Sequence, residues 1–343
     1  MDKRVVFAVA GAGKTSTIIN AIEEDSRALI VTYTDNNTAQ IKKRILAKFG
    51  EIPKGVRIYS YFTFLYSFCF RPIYGFEIGV RGITFHDPDP KLRFIKKSSI
   101  RHYVDNCSRV YHHRLAKLLI EFQLIPDVID RLEYFFDHVY IDEVQDFGSH
   151  DFNLLCSLVT ANLNIKLVGD FFQHTFNTSN DGNTKQNLHD DFDKYCQNLV
   201  NAGYEIDVTS LSDSYRCPPV ICEFVTQNIG IAIGSHNQKE AIVRLVECPD
   251  ETEKMYNDPS IIKLFYRDSN KYAGFVDNWG NTKGLDDFGD VCVVLNKSSY
   301  RSFLAGKLSS MANLTRNKLY VACTRANRNL YFLDETKLAA FKR

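Results

Sequence analysis

The run Ala8-Val9-Ala10-Gly11-Ala12-Gly13-Lys14-Thr15 has the spacing of a phosphate loop: a small residue, four of any type, then Gly-Lys-Thr. Ala8 stands where glycine is commoner. Small residues let the backbone N–H groups from Ala10 through Gly11, Ala12, Gly13, Lys14 and Thr15 to Ser16 close around phosphate oxygens. They do so at the N-terminus of a helix, whose dipole favours anions. Lys14 suits the β- and γ-phosphates, and the Thr15 hydroxyl suits a magnesium ion. A second run, His138-Val139-Tyr140-Ile141-Asp142-Glu143, ends in two carboxylates. Asp142 is expected to hold the metal ion and Glu143 to activate an attacking water. Splitting a nucleoside triphosphate requires positioning and charge neutralisation, which these residue types supply.

Both runs need strands to carry them. Residues 4–9 read as a buried strand and 15–24 as the helix that follows. Residues 27–33 (RALIVTY) predict a second buried strand, 38–49 a basic amphipathic helix, and 56–61 a third strand leading into the aromatic stretch 62–70. From 71 to about 134 the pattern changes. Asp87-Pro88-Asp89-Pro90 marks turns, and helical periodicity through 101–122 predicts a small helical insertion. The first sheet resumes at 138–142 and 165–169, and a helix at 192–202 closes a first domain spanning 1–204. A second domain, 205–343, is predicted with strands at 208–211, 241–246, 261–265, 291–295 and 329–333, and a helix at 315–324. Strands alternating with helices predict an α/β fold with parallel sheets.

Composition sets the bounds. The chain has 343 residues, 45% hydrophobic and 24% charged, enough for two well-cored domains. A formal net charge of +1 gives no global positive field, so any polynucleotide contact must come from a local groove. Nine cysteines are scattered without close zinc-type pairs; Cys217 and Cys222 are too loosely spaced to read as a ligand pair. Reduced thiols, no signal-peptide pattern and no apolar run of membrane-spanning length predict a cytoplasmic protein without a membrane partner.

Seven segments in order resemble the signatures of the UvrD/Rep branch of superfamily 1 helicases. They are AGAGKT (10–15), LIVTYT (29–34), IDEVQDF (141–147), LVGDFFQ (167–173), LSDSYRCP (211–218), TKGLDDF (282–288) and KLYVACTRA (318–326). The resemblance runs from residue 5 to about 333 and implies two RecA-like P-loop NTPase lobes with ATP and Mg²⁺ between them. It also implies single-stranded DNA as partner, with RNA ranked lower, and movement 3′ to 5′. Carried over by position, Gln145 and Asp146 complete the acidic signature and Gln173 senses the γ-phosphate. Tyr215 stacks on adenine, Gly284 and Asp286 lie near the nucleotide, and Arg216 and Arg325 are the arginines supplied to the γ-phosphate. Tyr33 matches an aromatic of a base pocket. Phe62, Thr63 and Phe64 lie where another DNA-contacting motif belongs, and Phe176 follows the glutamine at a position often aromatic.

This chain departs from that pattern in three ways. Few residues precede the first strand, so the family's adenine-reading glutamine has no place, and loose base selectivity is expected. Only 66 residues separate Arg216 from Lys283, too few for the large subdomain that full-sized relatives insert there, so processive unwinding by the lone chain is not expected. The tryptophan usual after the fourth signature and the histidine usual before the sixth are replaced at the approximate positions by Thr178 and Gly280, with Trp279 a candidate substitute ring. The alternative function is therefore a nucleic-acid-gated ATPase subunit that regulates a partner nuclease, of the kind found in anti-phage systems.

Overall fold

The computed structural model describes residues 1–175, 184–285 and 288–343. The chain divides into two compact units. One comprises Met1–Val6, Thr15–Gly169 and Asn177–Asp207; the other comprises Val208–Arg343 together with the short segments Phe7–Lys14 and Asp170–Phe176.

The first unit is built on β1 (Lys3–Phe7), β2 (Ala28–Thr32), β3 (Val56–Ser60), β4 (Gly82–Thr84), β5 (Arg109–Tyr111), β6 (His138–Asp142), β7 (Asn164–Gly169) and β8 (Glu205–Asp207). Six of them form one sheet in the order β3-β2-β6-β7-β1-β8. The register is parallel at β2–β3 (Ile30 beside Ile58), β2–β6 (Ile30 beside Tyr140), β6–β7 (Ile141 beside Leu167) and β1–β8 (Val5 beside Ile206). Every residue of β2, ALIVT, is buried, the continuous apolar run expected of a parallel strand covered on both faces. Parallel order sends each strand back through a helix and aligns the strand C-termini on one edge, where ligands of open α/β sheets sit. The helix Asp35–Phe49 starts where the Thr34 hydroxyl accepts the Asn37 N–H, a normal N-cap.

Two expectations fail within this region. The strand predicted at 208–211 is absent; β8 lies at Glu205–Asp207 and joins the edge of the first sheet beside β1. Val208 is 49% exposed, so the apolar residue that suggested a strand has no face to bury. The helix predicted through 101–122 forms as α-helix only at Leu115–Glu121, after β5, with single 3-10 turns at Ile100–His102 and His112–Arg114. Asp105 accepts the N–H groups of Cys107 and Arg109 (2.9 and 2.8 Å), and Ser108 adopts φ 58°. That local turn chemistry overrides the periodicity. The aromatic stretch becomes a short helix, Tyr61–Thr63, running into the π-helical segment Phe64–Gly75.

The second unit carries β9 (Asp213–Ser214), β10 (Gly234–Ser235), β11 (Val243–Val246), β12 (Ile262–Phe265), β13 (Val276–Asn278), β14 (Val291–Leu295) and β15 (Leu330–Asp334). Five form a sheet in the order β11-β15-β14-β12-β13, with parallel neighbours such as Leu264 beside Val293 and Val293 beside Phe332. The helix Asn313–Cys323 buries Leu319, Tyr320, Ala322 and Cys323 against this sheet's core. Trp279 is fully buried there, its indole N–H donating to the Leu264 carbonyl at 2.8 Å. Among the described residues no helix is long and apolar enough to cross a membrane, and all nine cysteines are free thiols.

Candidate functional site

At the C-terminal end of β6 the first unit gathers its reactive oxygens. The Thr15 hydroxyl donates to Asp142 Oδ2 at 3.1 Å, and Asp142 Oδ1 accepts the Glu143 N–H at 3.0 Å. Asp142 and Glu143 are 2% and 7% exposed. Two hard oxygens at this separation suit Mg²⁺, which takes few protein ligands and completes its shell with water and substrate phosphates. Glu143 adopts φ 60°, ψ 44°, a left-handed conformation that costs a non-glycine residue on the order of 1–3 kcal/mol and tends to occur where geometry serves a site. Gln145, fully buried, donates its side-chain amide to the Glu143 carboxylate. Gly169 makes this packing feasible. A Cβ there would come within 2.4 Å of Gln145 Oε1 and 2.7 Å of a Val144 methyl.

The second unit surrounds the segment Phe7–Lys14. Gly11 has φ 75°, and a Cβ on it would meet Ser214 Oγ at 2.6 Å and Arg216 Cβ at 2.7 Å, so only glycine fits. The Tyr215 N–H donates to the Gly11 carbonyl at 3.0 Å. The Ala10 N–H donates to the Tyr320 hydroxyl at 2.8 Å, which donates to Asp170 Oδ2 at 3.0 Å. The same Asp170 oxygen accepts the Gln173 side-chain amide at 2.9 Å. Burial first, and then the Asp170 carboxylate, raise the Tyr320 pKa well above the phenol range, so this hydroxyl stays protonated and donates. Four groups of the expected site or its flanks thus form one buried chain.

Arg216 Nη1 donates to the Thr324 carbonyl at 3.0 Å. Arg325 is 1% exposed and donates to the carbonyls of Val321, Thr282 and Leu285 at 3.2, 3.2 and 2.8 Å. Tyr215 is 66% exposed and stacks on His236 with ring centroids 4.4 Å apart, leaving a broad surface for a flat ligand. Gly284 adopts φ 80°. Asp286, Phe176 and Thr178 lie outside the described residues. Ser16 Oγ accepts from Arg44 at 2.7 Å.

The nucleic-acid expectations divide. Tyr33 is half-buried, between Tyr61, Phe62 and Phe147 at centroid distances of 6.1, 5.8 and 6.0 Å. Thr63 is exposed and bonds Ser60 Oγ at 2.9 Å. Phe64 is 2% exposed and stacks on Phe68, so its ring belongs to the core and is closed to a base. Trp279, equally buried, is no substitute stacking ring. The reading by motif missed Tyr320 and Asp170. Both are polar residues set inside apolar segments, KLYVA and LVGDF, and that contrast was the available signal.

No protein-family model matches the sequence, and no curated protein does. Solved structures match in fold. Arterivirus nonstructural protein 10, a helicase, aligns with a TM-score of 0.51 and 13% identity over 99% of this chain and 62% of its own. The complex of an arterivirus nonstructural protein 10 (helicase) with DNA aligns with a TM-score of 0.50 and 13% identity over 97% of this chain and 61% of that one. This chain spans about three fifths of the length of the solved helicases it matches. The shared property is the architecture: an α/β fold of parallel sheets in the RecA-like manner.

Proposed function

We propose that this chain hydrolyses ATP to move along single-stranded DNA, 3′ to 5′, as a compact member of the UvrD/Rep branch of superfamily 1. The observation that carries the reading is the pair at the end of β6: the phosphate-loop Thr15 hydroxyl on Asp142, with Glu143 held beside it in a left-handed backbone. In this reading Thr15 and Asp142 would hold Mg²⁺, which would supply neutralisation of phosphate charge. Lys14 and the N–H groups around it hold the β- and γ-phosphates, and Glu143 takes the proton from the attacking water. Tyr215 offers its exposed face to the base, and Arg216, Arg325 and Gln173 serve the γ-phosphate. DNA as the track and the direction of movement rest on the ordered signatures, and the solved helicase with DNA agrees in fold.

The test is ATP hydrolysis by the purified chain with and without single-stranded DNA, alongside Glu143→Gln. Stimulation severalfold by DNA is expected, with a loss in the variant of about 10²–10⁴-fold, the usual worth of a positioned acid–base group. Hydrolysis indifferent to DNA in the wild type refutes the motor reading.

One observation favours a second reading, a nucleic-acid-gated ATPase that signals to a partner nuclease. Between Arg216 and Lys283 the second unit runs through two α-helices, β10 (paired with β9) and β11, β12 and β13 of its own five-stranded sheet, with no inserted subdomain. DNA-stimulated hydrolysis without displacement of a paired strand selects this reading over the helicase.

A further inference from the structure

β4 and β5 run parallel, with Ile83 beside Val110 and Thr84 beside Tyr111. The register carries the next residue of each strand, Phe85 and His112, side by side. Their rings stack 4.8 Å apart at 30°. Phe62 turns its edge to both, 5.7 Å from Phe85 and 5.0 Å from His112, and lies 5.8 Å from Tyr33. Four rings thus form a row leading from the end of β2 to the insertion. His112 Nδ1 donates to the Thr84 carbonyl at 3.2 Å, which fixes the plane of the pair. Burial holds the His112 pKa below its usual value, so the ring is neutral at physiological pH.

The row ends in solvent. Phe85 is 63% exposed, where a core role would bury it as it buries Phe64. The connection from β4 to β5 adds Phe94, 77% exposed beneath the Arg93 guanidinium at 4.6 Å. It also presents Lys91, Arg93, Lys96, Lys97 and Arg101, all exposed. Its carboxylates are Asp87, Asp89 and Asp105. Asp105 pairs with Arg109 at 2.8 Å, and Asp89 caps the Lys91 N–H at 2.8 Å. In a chain of net charge +1, this connection is a local concentration of cations around exposed rings. Flat apolar faces bordered by cations match a polymer of flat bases joined by anionic phosphates.

We propose that Phe85 and His112, with the cations of the connection between them, form a binding surface for single-stranded nucleic acid, on which a base stacks against Phe85 while phosphates lie along Lys91, Arg93, Lys96 and Lys97. The inference rests on the nucleic-acid motor reading and adds to it a gripping element outside the seven signatures.

The experiment is fluorescence anisotropy of a labelled single-stranded oligothymidylate titrated with the full chain, Phe85→Ala, Phe85→Tyr and the double variant Lys96→Glu/Lys97→Glu. Phe85→Ala is expected to weaken binding about tenfold, the worth of one stacked base, and Phe85→Tyr to restore it. The double variant is expected to flatten the dependence of affinity on salt. Hydrolysis of ATP without nucleic acid should stay at the wild-type rate in all three, since none of these residues belongs to the nucleotide site. If the wild type binds the oligonucleotide and Phe85→Ala and the double variant bind it equally well, with the same salt slope, this surface is not where the strand lies. A wild type that fails to bind any single strand overturns the motor reading as well.

Discussion

The first unit holds the carboxylates of Asp142 and Glu143 braced by their neighbours, whereas the second turns the guanidinium groups of Arg216 and Arg325 onto carbonyls of its own backbone. Asp142 is tied to Thr15 and to the Glu143 N–H, and Glu143 is fixed by its own twisted backbone and by Gln145. Arg216 and Arg325 instead donate to neutral carbonyls of Thr324, Val321, Thr282 and Leu285. In the proposed role of orienting a metal and a water, carboxylates work only if geometry is set in advance. Guanidinium groups on carbonyls are different, because a phosphate offers opposite charge and two parallel bonds and so outcompetes a carbonyl. The contrast is between carboxylates fixed by several neighbours and guanidinium groups that hold carbonyls of their own unit.

The sharpest way to break that contrast is to remove the arginines. Arg216→Ala and Arg325→Ala should each lower kcat by on the order of 10³-fold or more, within the range known for arginine fingers. Arg325→Ala should also lower the unfolding midpoint more than Arg216→Ala does, because its buried guanidinium bridges three carbonyls. Equal stability losses in the two variants would show that neither cation is held as described. A smaller effect belongs to Tyr320→Phe, which removes the acceptor of the Ala10 N–H and one of the donors to Asp170 Oδ2. A loss of about 1–3 kcal/mol in denaturant unfolding is expected, with a raised KM for ATP and a lesser change in kcat. An unchanged KM would separate Tyr320 from the phosphate loop's function.

The smallest effect tests whether the first unit is braced at every buried acid. Asp151 is 1% exposed; burial pushes its carboxyl up to about 7, against the hydrogen bond from the Tyr61 hydroxyl at 2.8 Å. A carboxyl raised in the folded state adds stability that is complete below its unfolded value near 3.8 and fades as pH rises through about 7. The wild type should lose roughly 1 kcal/mol of stability between pH 6 and pH 7. Asp151→Asn should be flat across that interval in urea denaturation, and an equal slope in both proteins would place the titration elsewhere.

Much of this was legible in the residues. Buried parallel strands such as ALIVT and VCVVL announce themselves by unbroken apolar runs, and 138–142, 291–295 and 192–202 form at the predicted bounds. The stretch 101–122 was not legible, because one Asp105 side chain redirects a backbone whose periodicity says helix. Nor was the split between Phe62 and Phe64. They stand two residues apart in one aromatic stretch: Phe62 is half-buried and meets Tyr33, Phe85 and His112, while Phe64 is buried against Phe68, and composition alone does not separate them. The bonds behind the candidate-site residues escaped for a related reason: Tyr320 reaches Ala10 and Asp170 across long stretches of sequence.

Trp279 is the sole tryptophan of the chain and sits wholly inside the second unit, beside Tyr266 and under the Leu264 carbonyl. Its emission is therefore a private channel to that unit, while circular dichroism weighs the whole chain. Two melting curves recorded on one sample, one optical and one chiroptical, will part company wherever the two units lose their structure at different temperatures.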